Sequence, residues 1–167
     1  GRTPYLSSEP MYFDMEKRGI QVEELPPNEM LSAISEGRLQ GGLVPLVDTF
    51  DLAEDLRTVS AFCLATVSTA VSVKFHSKAS IEELAGASVA VPADAPTAVR
   101  LLQVLLSVKN SVIPAAYVSP EEPHDAQLMV GNLGLRHRRG LRGFEHTYDL
   151  GEEWSRWTSL PFVFARW

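Results

Sequence analysis

Only one of the 167 residues is a cysteine. Cys63 has no internal disulfide partner, and a single thiol builds no zinc site without several histidines. His76, His124, His137 and His146 stand apart, without metal-ligand spacing, so no metal is expected. Basic charge is also short: 15 Lys and Arg stand against 21 Asp and Glu, for a net charge of −6. Such a chain lacks the positive field that holds phosphate backbones, which argues against a nucleic-acid partner. Long apolar runs are missing too. The longest candidate, Ala61 to Val73, is broken by Thr66, Ser68, Thr69 and Ser72, short of the roughly eighteen apolar residues of a membrane span. The opening Gly-Arg-Thr-Pro-Tyr-Leu carries no basic-then-apolar targeting pattern. With the lone cysteine, these absences lead to the expectation of a cytoplasmic protein with no membrane partner.

Motifs of several enzyme classes are absent as well. There is no G-x-x-x-x-G-K-S/T phosphate loop and no G-x-S-x-G elbow. Gly131-Asn132-Leu133-Gly134 lacks the third glycine of a dinucleotide fingerprint. The acidic pairs Glu23-Glu24, Glu82-Glu83, Glu121-Glu122 and Glu152-Glu153 are adjacent in sequence. On a strand or helix such neighbours do not face one another, so they make no acid/base pair.

What is present is an ordinary globular mix, 45% apolar and 22% charged. The length suits one domain or two small lobes. Arg2–Leu6 and Gln21–Leu25 read as short strands, with a first helical turn near Met11. Asn28 is placed as the N-cap of a helix through Met30, Leu31 and Ile34 that ends at Gly37. Leu39–Val47, Phe62–Thr69 and Ala70–His76 follow as strands. Ser80 with Glu83 forms a capping box. Ser88–Val91, Ala116–Val118, Ala126–Val130 and Phe162–Ala165 read as further strands. A helix over Thr97–Val108 has its apolar stripe at 98, 101, 102, 105 and 108. Asp149 to Trp157 reads as another helix, and Arg136 to Gly143 as a solvated loop. Strands alternating with helices argue for an α/β fold with mostly parallel sheets.

Several segments, in order, resemble the chorismate dehydratase family of menaquinone biosynthesis. Gly1–Pro10 is similar to its opening G-x-x-x-Y-L-N-x-x-P, and Gly42–Leu46 to its third strand and turn. Val71-Ser72-Val73 with Ser77 matches S-V-x-x-x-S, and Glu83–Val91 resembles the crossing into a second lobe. Asp149–Trp167 is close to D-L-G-x-x-W-x-x-x-T-G-L-P-F-V-F-A-x-W, a long and specific signature. The family's C-terminal third has no counterpart in these residues. The resemblance implies a type II periplasmic-binding-protein-like fold of two lobes, here residues 1–74 plus 158–167 and residues 75–157. It also implies removal of water from chorismate to give 3-[(1-carboxyvinyl)oxy]benzoate, with no cofactor. The ligand of such a fold lies between lobes, at strand ends and helix N-termini. A dicarboxylate there needs oriented donors, which helix N-termini supply. Ser7–Met11 and Asp94–Ala98 are the two first-turn segments suited to that.

The residue roles come from the same resemblance. Ser7 stands where the family has a substrate-facing Asn in a proton-handling or orienting role, so it is the candidate catalytic residue. Ser8, Pro45, Ser72, Thr97 and Asn132 are candidate substrate contacts. There are departures. The family's S-x-T-S is Ala95-Pro96-Thr97-Ala98 here, its G-D is Gly131-Asn132, and the Gly of the closing signature is Ser159. A structural reading stands beside each role. Ser7 and Ser8 also suit helix capping, Ser72 a strand residue bonded to backbone, Thr97 a first-turn residue, and Asn132 a turn. Trp154 and Trp157 suit a core, and the arginines at 136, 138, 139 and 142 a solvated face. The functional alternative is a divergent, non-catalytic protein of the same fold that binds a small carboxylate.

Overall fold

The structure is a computed structural model that describes residues 1–51, 56–59 and 62–167. Ala61, at the head of the apolar run noted above, lies outside the described residues. Contacts divide the chain into two compact units. The first comprises Gly1–Ala65, Asp94–Thr97 and Val163–Trp167, the second Thr66–Ala93 and Ala98–Phe162. No helix among the described residues is long and apolar enough to cross a membrane.

The first unit is built on short elements. The expected strands at Arg2–Leu6 and Gln21–Leu25 reduce to a single parallel bridge between Arg2 and Glu24. Pro4 has no N–H to extend the ladder, and a 3₁₀ helix takes over at Leu6–Tyr12. Helix α1, Met30–Ser35, is preceded by a 3₁₀ turn over Pro27–Glu29 that absorbs Asn28, so Asn28 is not its cap. Met30 and Ala33 are fully buried and pack with Leu25 and Val44, flanked by Leu31, Ile34 and Leu39. The chain then passes Gly42 so closely to Met30 that a Cβ there would lie 2.5 Å from its sulfur. The expected strand Leu39–Val47 contracts to β1, Val44–Pro45, because side-chain-free Gly41-Gly42 precede it and Pro45 breaks the ladder. A three-stranded sheet in the order β1–β8–β2 joins it to β2, Cys63–Thr66, and β8, Phe162–Arg166.

The second unit is a five-stranded sheet. Its strands are β3 (Val73–Ser77), β4 (Ser88–Ala90), β5 (Ala116–Val118), β6 (Ala126–Val130) and β7 (His146–Asp149), in the order β5–β4–β6–β3–β7. All five residues of β3 are buried. Phe75 is sealed in the core, and its ring lies 6.3 Å from that of Tyr148, its register partner on β7. The capping box holds: the Glu83 carboxylate accepts from the Ser80 N–H at 3.2 Å and from its hydroxyl at 2.9 Å. It opens only a 3₁₀ turn, Ile81–Glu83. Helix α2, Pro96–Val104, buries Ala98, Leu101 and Leu102. It continues as a π-helical turn, Leu105–Lys109, in which Asn110 N–H bonds Leu105 O at 3.2 Å. That wider turn rotates Val108 off the expected stripe, and it is exposed.

Two corrections concern the sheet and the segment after β6. The pairing is mixed rather than mostly parallel. β4 runs parallel to both β5 and β6, but β3 is antiparallel to β6 and β7, and β1 is antiparallel to β8. β4 through β7 therefore share one direction and β3 opposes them. The link from β3 to β4 spans residues 78–87 with one 3₁₀ turn and no crossover helix, so the chain returns antiparallel. Gly131-Asn132, expected as a turn, opens helix α3, Gly131–Arg136, and β7 adds a strand absent from the sequence reading.

Helix α4, Leu150–Thr158, lies where the helix was expected, with the Asp149 side chain accepting from Glu152 N–H at its start. Trp154 and Trp157 meet edge to face at 5.9 Å, with Trp157 exposed rather than in the core. Ser159 ends α4 in the left-handed region at φ +59°. The family's glycine at this position is thus a backbone requirement, not a site feature. Ser159→Gly is expected to raise stability by about 0.5–1 kcal/mol, since it relieves a left-handed penalty against a partly offsetting chain entropy. Thermal midpoints of the two proteins test this.

Candidate functional site

The candidate residues of the first unit gather around its opening segment. In the 3₁₀ helix Leu6–Tyr12, successive side chains point about 120° apart, so Ser7 and Ser8 face different ways. Ser8 is fully buried. Its hydroxyl lies 2.7 Å from the Thr3 hydroxyl and donates to Tyr5 O at 2.7 Å, with Thr3 O at 3.3 Å. The single Ser8 proton is therefore committed within residues 3–8, and Ser8 acts as a latch that closes this segment on itself. Ser7 is exposed, and its hydroxyl makes no side-chain hydrogen bond among the described residues.

Two hydrogen bonds tie other candidates to that segment. The Tyr5 hydroxyl donates to Asp94 Oδ2 at 2.8 Å. Burial first, then the Asp94 carboxylate, push the Tyr5 phenol well above its ordinary pKa. The buried Thr97 accepts from Val47 N–H at 3.3 Å through its hydroxyl, which leaves the hydroxyl proton available to donate. Pro45, two residues before Val47, is buried in β1 and pairs with Ala165. The first unit thus brings Ser7, Ser8, Thr97 and Pro45 into one connected set through Tyr5–Asp94 and Val47–Thr97. Tyr12 ends the 3₁₀ helix buried, its ring 5.6 Å from that of Trp167. Among the described residues no acceptor meets hydrogen-bond geometry at its hydroxyl, although Thr3 and Leu43 backbone lies near enough to favour the phenolate slightly. Burial wins, and the phenol is pushed up to about 12.

The second unit holds Ser72 and Asn132. Val73 pairs with Val130, so Ser72 and the start of α3 lie at the same end of the sheet. Gly134 approaches Ser72 so closely that a Cβ would fall 2.2 Å from the Ser72 carbonyl oxygen. Asn132 is half-buried in the first turn of α3.

What the sequence did not flag is the group beneath them. Asp149 is buried and accepts four bonds. Ala70 N–H reaches Oδ1 and Val71 N–H reaches Oδ2, both at 2.8 Å. Lys74 Nζ reaches Oδ2 at 2.9 Å and Glu152 N–H reaches Oδ1 at 3.1 Å. Burial opposes ionisation of Asp149, but Lys74 and the amides of Ala70 and Glu152 outweigh it and hold the pKa below the ordinary value. One sequence signal was available. Lys74 is a charged residue inside the strand read over Ala70–His76, and a buried charge requires a partner.

His76, two residues along β3, is fully buried. Its Nδ1 lies 3.1 Å from the Thr147 hydroxyl, and its Nε2 has no partner among the described residues. Burial, then the proximity of His137 and Lys74, lower its pKa. Among the described residues no three His, Cys, Asp or Glu side chains are grouped to hold a metal ion.

A family model described as menaquinone biosynthesis matches residues 1–167, the entire chain. Among solved structures, the chain is similar to protein AF1704 from Archaeoglobus fulgidus, at 20% identity with a TM-score of 0.70. The match covers 99% of this chain and 66% of that one. At that identity the likeness concerns the fold. The chain spans less than two-thirds of the other protein's length.

The buried imidazole sets a pH dependence. The folded pKa of His76 is lowered, so the unfolded chain binds its proton more readily. His76 therefore favours the fold above about pH 6.5, the unfolded imidazole value, and that contribution is lost as pH falls through the folded pKa. The thermal midpoint is expected to drop between about pH 7.5 and 5.5, and to drop less in His76→Gln, which carries no proton uptake at this position. Equal drops in both proteins count against His76 as the source.

Proposed function

We propose, given that this chain belongs to the menaquinone biosynthesis family, that it is a cytoplasmic chorismate dehydratase-like lyase with a type II periplasmic-binding-protein-like fold. The reaction breaks the bond between the ring and its hydroxyl and removes a proton from the neighbouring ring carbon. Water leaves, and the ring becomes the aromatic ring of 3-[(1-carboxyvinyl)oxy]benzoate. Aromatisation supplies the driving force, and no electron acceptor is needed for the balance. The family match along all 167 residues is the observation that carries this reading.

The residues fit the chemistry as follows. Ser7 presents an exposed hydroxyl on a segment that the Ser8 latch holds fixed. It orients the leaving hydroxyl and donates a hydrogen bond to it. No base is bonded to Ser7, and an isolated hydroxyl is a poor proton acceptor. The proton therefore passes to a carboxylate of the substrate itself. Within the first unit Thr97 offers a hydroxyl to a substrate carboxylate, and within the second Ser72 and Asn132 are the candidate contacts that the resemblance implies. Ser8 positions, and Pro45 shapes the wall beside Val47. Catalysis is then positioning plus hydrogen bonding to charge that develops at the departing oxygen.

An ultraviolet and mass-spectrometric time course with chorismate tests the proposal. Loss of one water with enzyme-dependent aromatic absorbance is the expected result. Ser7→Ala should lower turnover by more than about tenfold, or about 1.4 kcal/mol of barrier. An unchanged rate removes Ser7 from the mechanism. Saturable binding of chorismate without product replaces the lyase by a small-carboxylate binding protein, a reading that the lack of a base at Ser7 favours.

A further inference from the structure

We infer that Asp149 is a positioning residue whose carboxylate fixes Ala70–Ser72 in a strained turn and thereby presents Ser72 to the substrate. The inference rests on the proposed role of Ser72 as a substrate contact. Its evidence is geometric. Val71 is β-branched and 42% exposed, yet it sits at φ +62°. Ser72 N–H bonds back to Ala70 O at 2.6 Å, which closes a γ-turn about Val71. A γ-turn with positive central φ is rare and strained, and the strain is greatest for β-branched residues. Such a conformation persists only where the surroundings over-determine it.

Here they do. Two of the four bonds to Asp149 come from the amides of Ala70 and Val71, the strained residue and the one just before it. Those two bonds add nothing to the capping of α4, which the Glu152 bond alone provides. Lys74 fixes the carboxylate from β3. Two glycines press the same loop. A Cβ on Gly151 would lie 2.8 Å from Ala70 N and Ser68 O, and one on Gly134 would lie 2.2 Å from Ser72 O. The hydroxyl that emerges is largely uncommitted. Ser72 Oγ lies 3.4 Å from Ala70 O, at the outer limit of a hydrogen bond. Strain kept at an exposed valine, next to a half-exposed serine with an available donor, is what a positioned ligand contact requires.

The test separates the turn from the ion pair. Asp149→Asn removes the carboxylate and leaves Lys74 unpaired. Asp149→Asn with Val71→Gly lets glycine hold positive φ without the clamp, while Lys74 stays unpaired. Chorismate affinity and thermal midpoint are measured for both, with Val71→Gly alone as the reference for the glycine. Asp149→Asn should weaken chorismate binding by at least about tenfold and lower the midpoint. The double variant should return to within about threefold of Val71→Gly in affinity, with the midpoint still low. A structural role alone predicts that affinity and midpoint stay low together, and that result overturns the inference. So does wild-type affinity in Asp149→Asn. Should Asp149→Asn not fold, Lys74→Met with Asp149→Asn removes the unpaired charge and takes its place.

If the wild-type chain does not bind chorismate, the proposed function fails, and the turn is read directly from hydrogen exchange of the Ser72 amide. Faster exchange in Asp149→Asn, slowed again in the double variant, upholds Asp149 as the residue that sets this turn. Unchanged exchange overturns it.

Discussion

The buried carboxylate of Asp149 is the constraint on which the second unit depends. A charge without water must be compensated by partners of good geometry, and four donors converge on two oxygens. The donors come from three pieces of chain: two from the loop before β3, one from β3 itself, and one from the first turn of α4. Asp149 closes β7 and caps α4, so its own position is fixed by the Lys74–Asp149 register pair. No member can move without leaving another unsatisfied. Such an ion pair adds little net stability against a well-packed apolar alternative, because desolvation consumes most of the attraction. Its effect is specificity, since it selects one backbone path through residues 68–72 out of those that hydrophobic packing alone would allow.

The first unit solves the same problem with a neutral group. Ser8 buries a hydroxyl and spends its bonding within residues 3–8, which holds the neighbouring Ser7 outward. In both units a buried polar group fixes the backbone beside a hydroxyl that solvent reaches, Ser8 behind the exposed Ser7 and Asp149 behind the half-exposed Ser72. The division of labour is physical. A hydroxyl bonded on all sides to its own chain has nothing left for a ligand, whereas a hydroxyl with weak or no internal partners does. The two serines at 7 and 8 look equivalent in the sequence, and only the three-residue period of the 3₁₀ helix tells them apart.

What was legible followed local rules. Ala116–Val118 and Ala126–Val130 stand as read, because short apolar runs bounded by turn residues leave a strand few alternatives. The Ser80–Glu83 box and the helix opening at Asp149 followed from capping chemistry. The misread segments share a different cause. Leu39–Val47 and Arg2–Leu6 have strand composition, but Pro45 and Pro4 withhold donors that a ladder needs, and the chain turns to 3₁₀ structure instead. The direction of β3 depends on how far residues 78–87 reach, a tertiary fact that periodicity does not carry. Val71 was unreadable on principle: nothing about a valine announces positive φ, which is imposed by a carboxylate far along the chain.

The departures from the chorismate dehydratase pattern can now be weighed by position. Ser159 answers a backbone requirement at the end of α4. Ala95 and Ala98 are 7% and 3% exposed, so the hydroxyls missing there would have been buried groups in need of partners. Their replacement by alanine removes that need. Thr97, the hydroxyl retained, is also buried and has its partner in Val47. Asn132 keeps the hydrogen-bonding reach of the acid in the resembled pattern while shedding the charge, which suits the proposed dianionic ligand. That leaves Ser7 as the departure that alters exposed chemistry. An asparagine offers a donor and an acceptor on a longer arm, whereas serine offers one hydroxyl closer to the backbone. The proposed turnover therefore depends on whether the substrate sits deep enough for that shorter arm to reach its leaving oxygen.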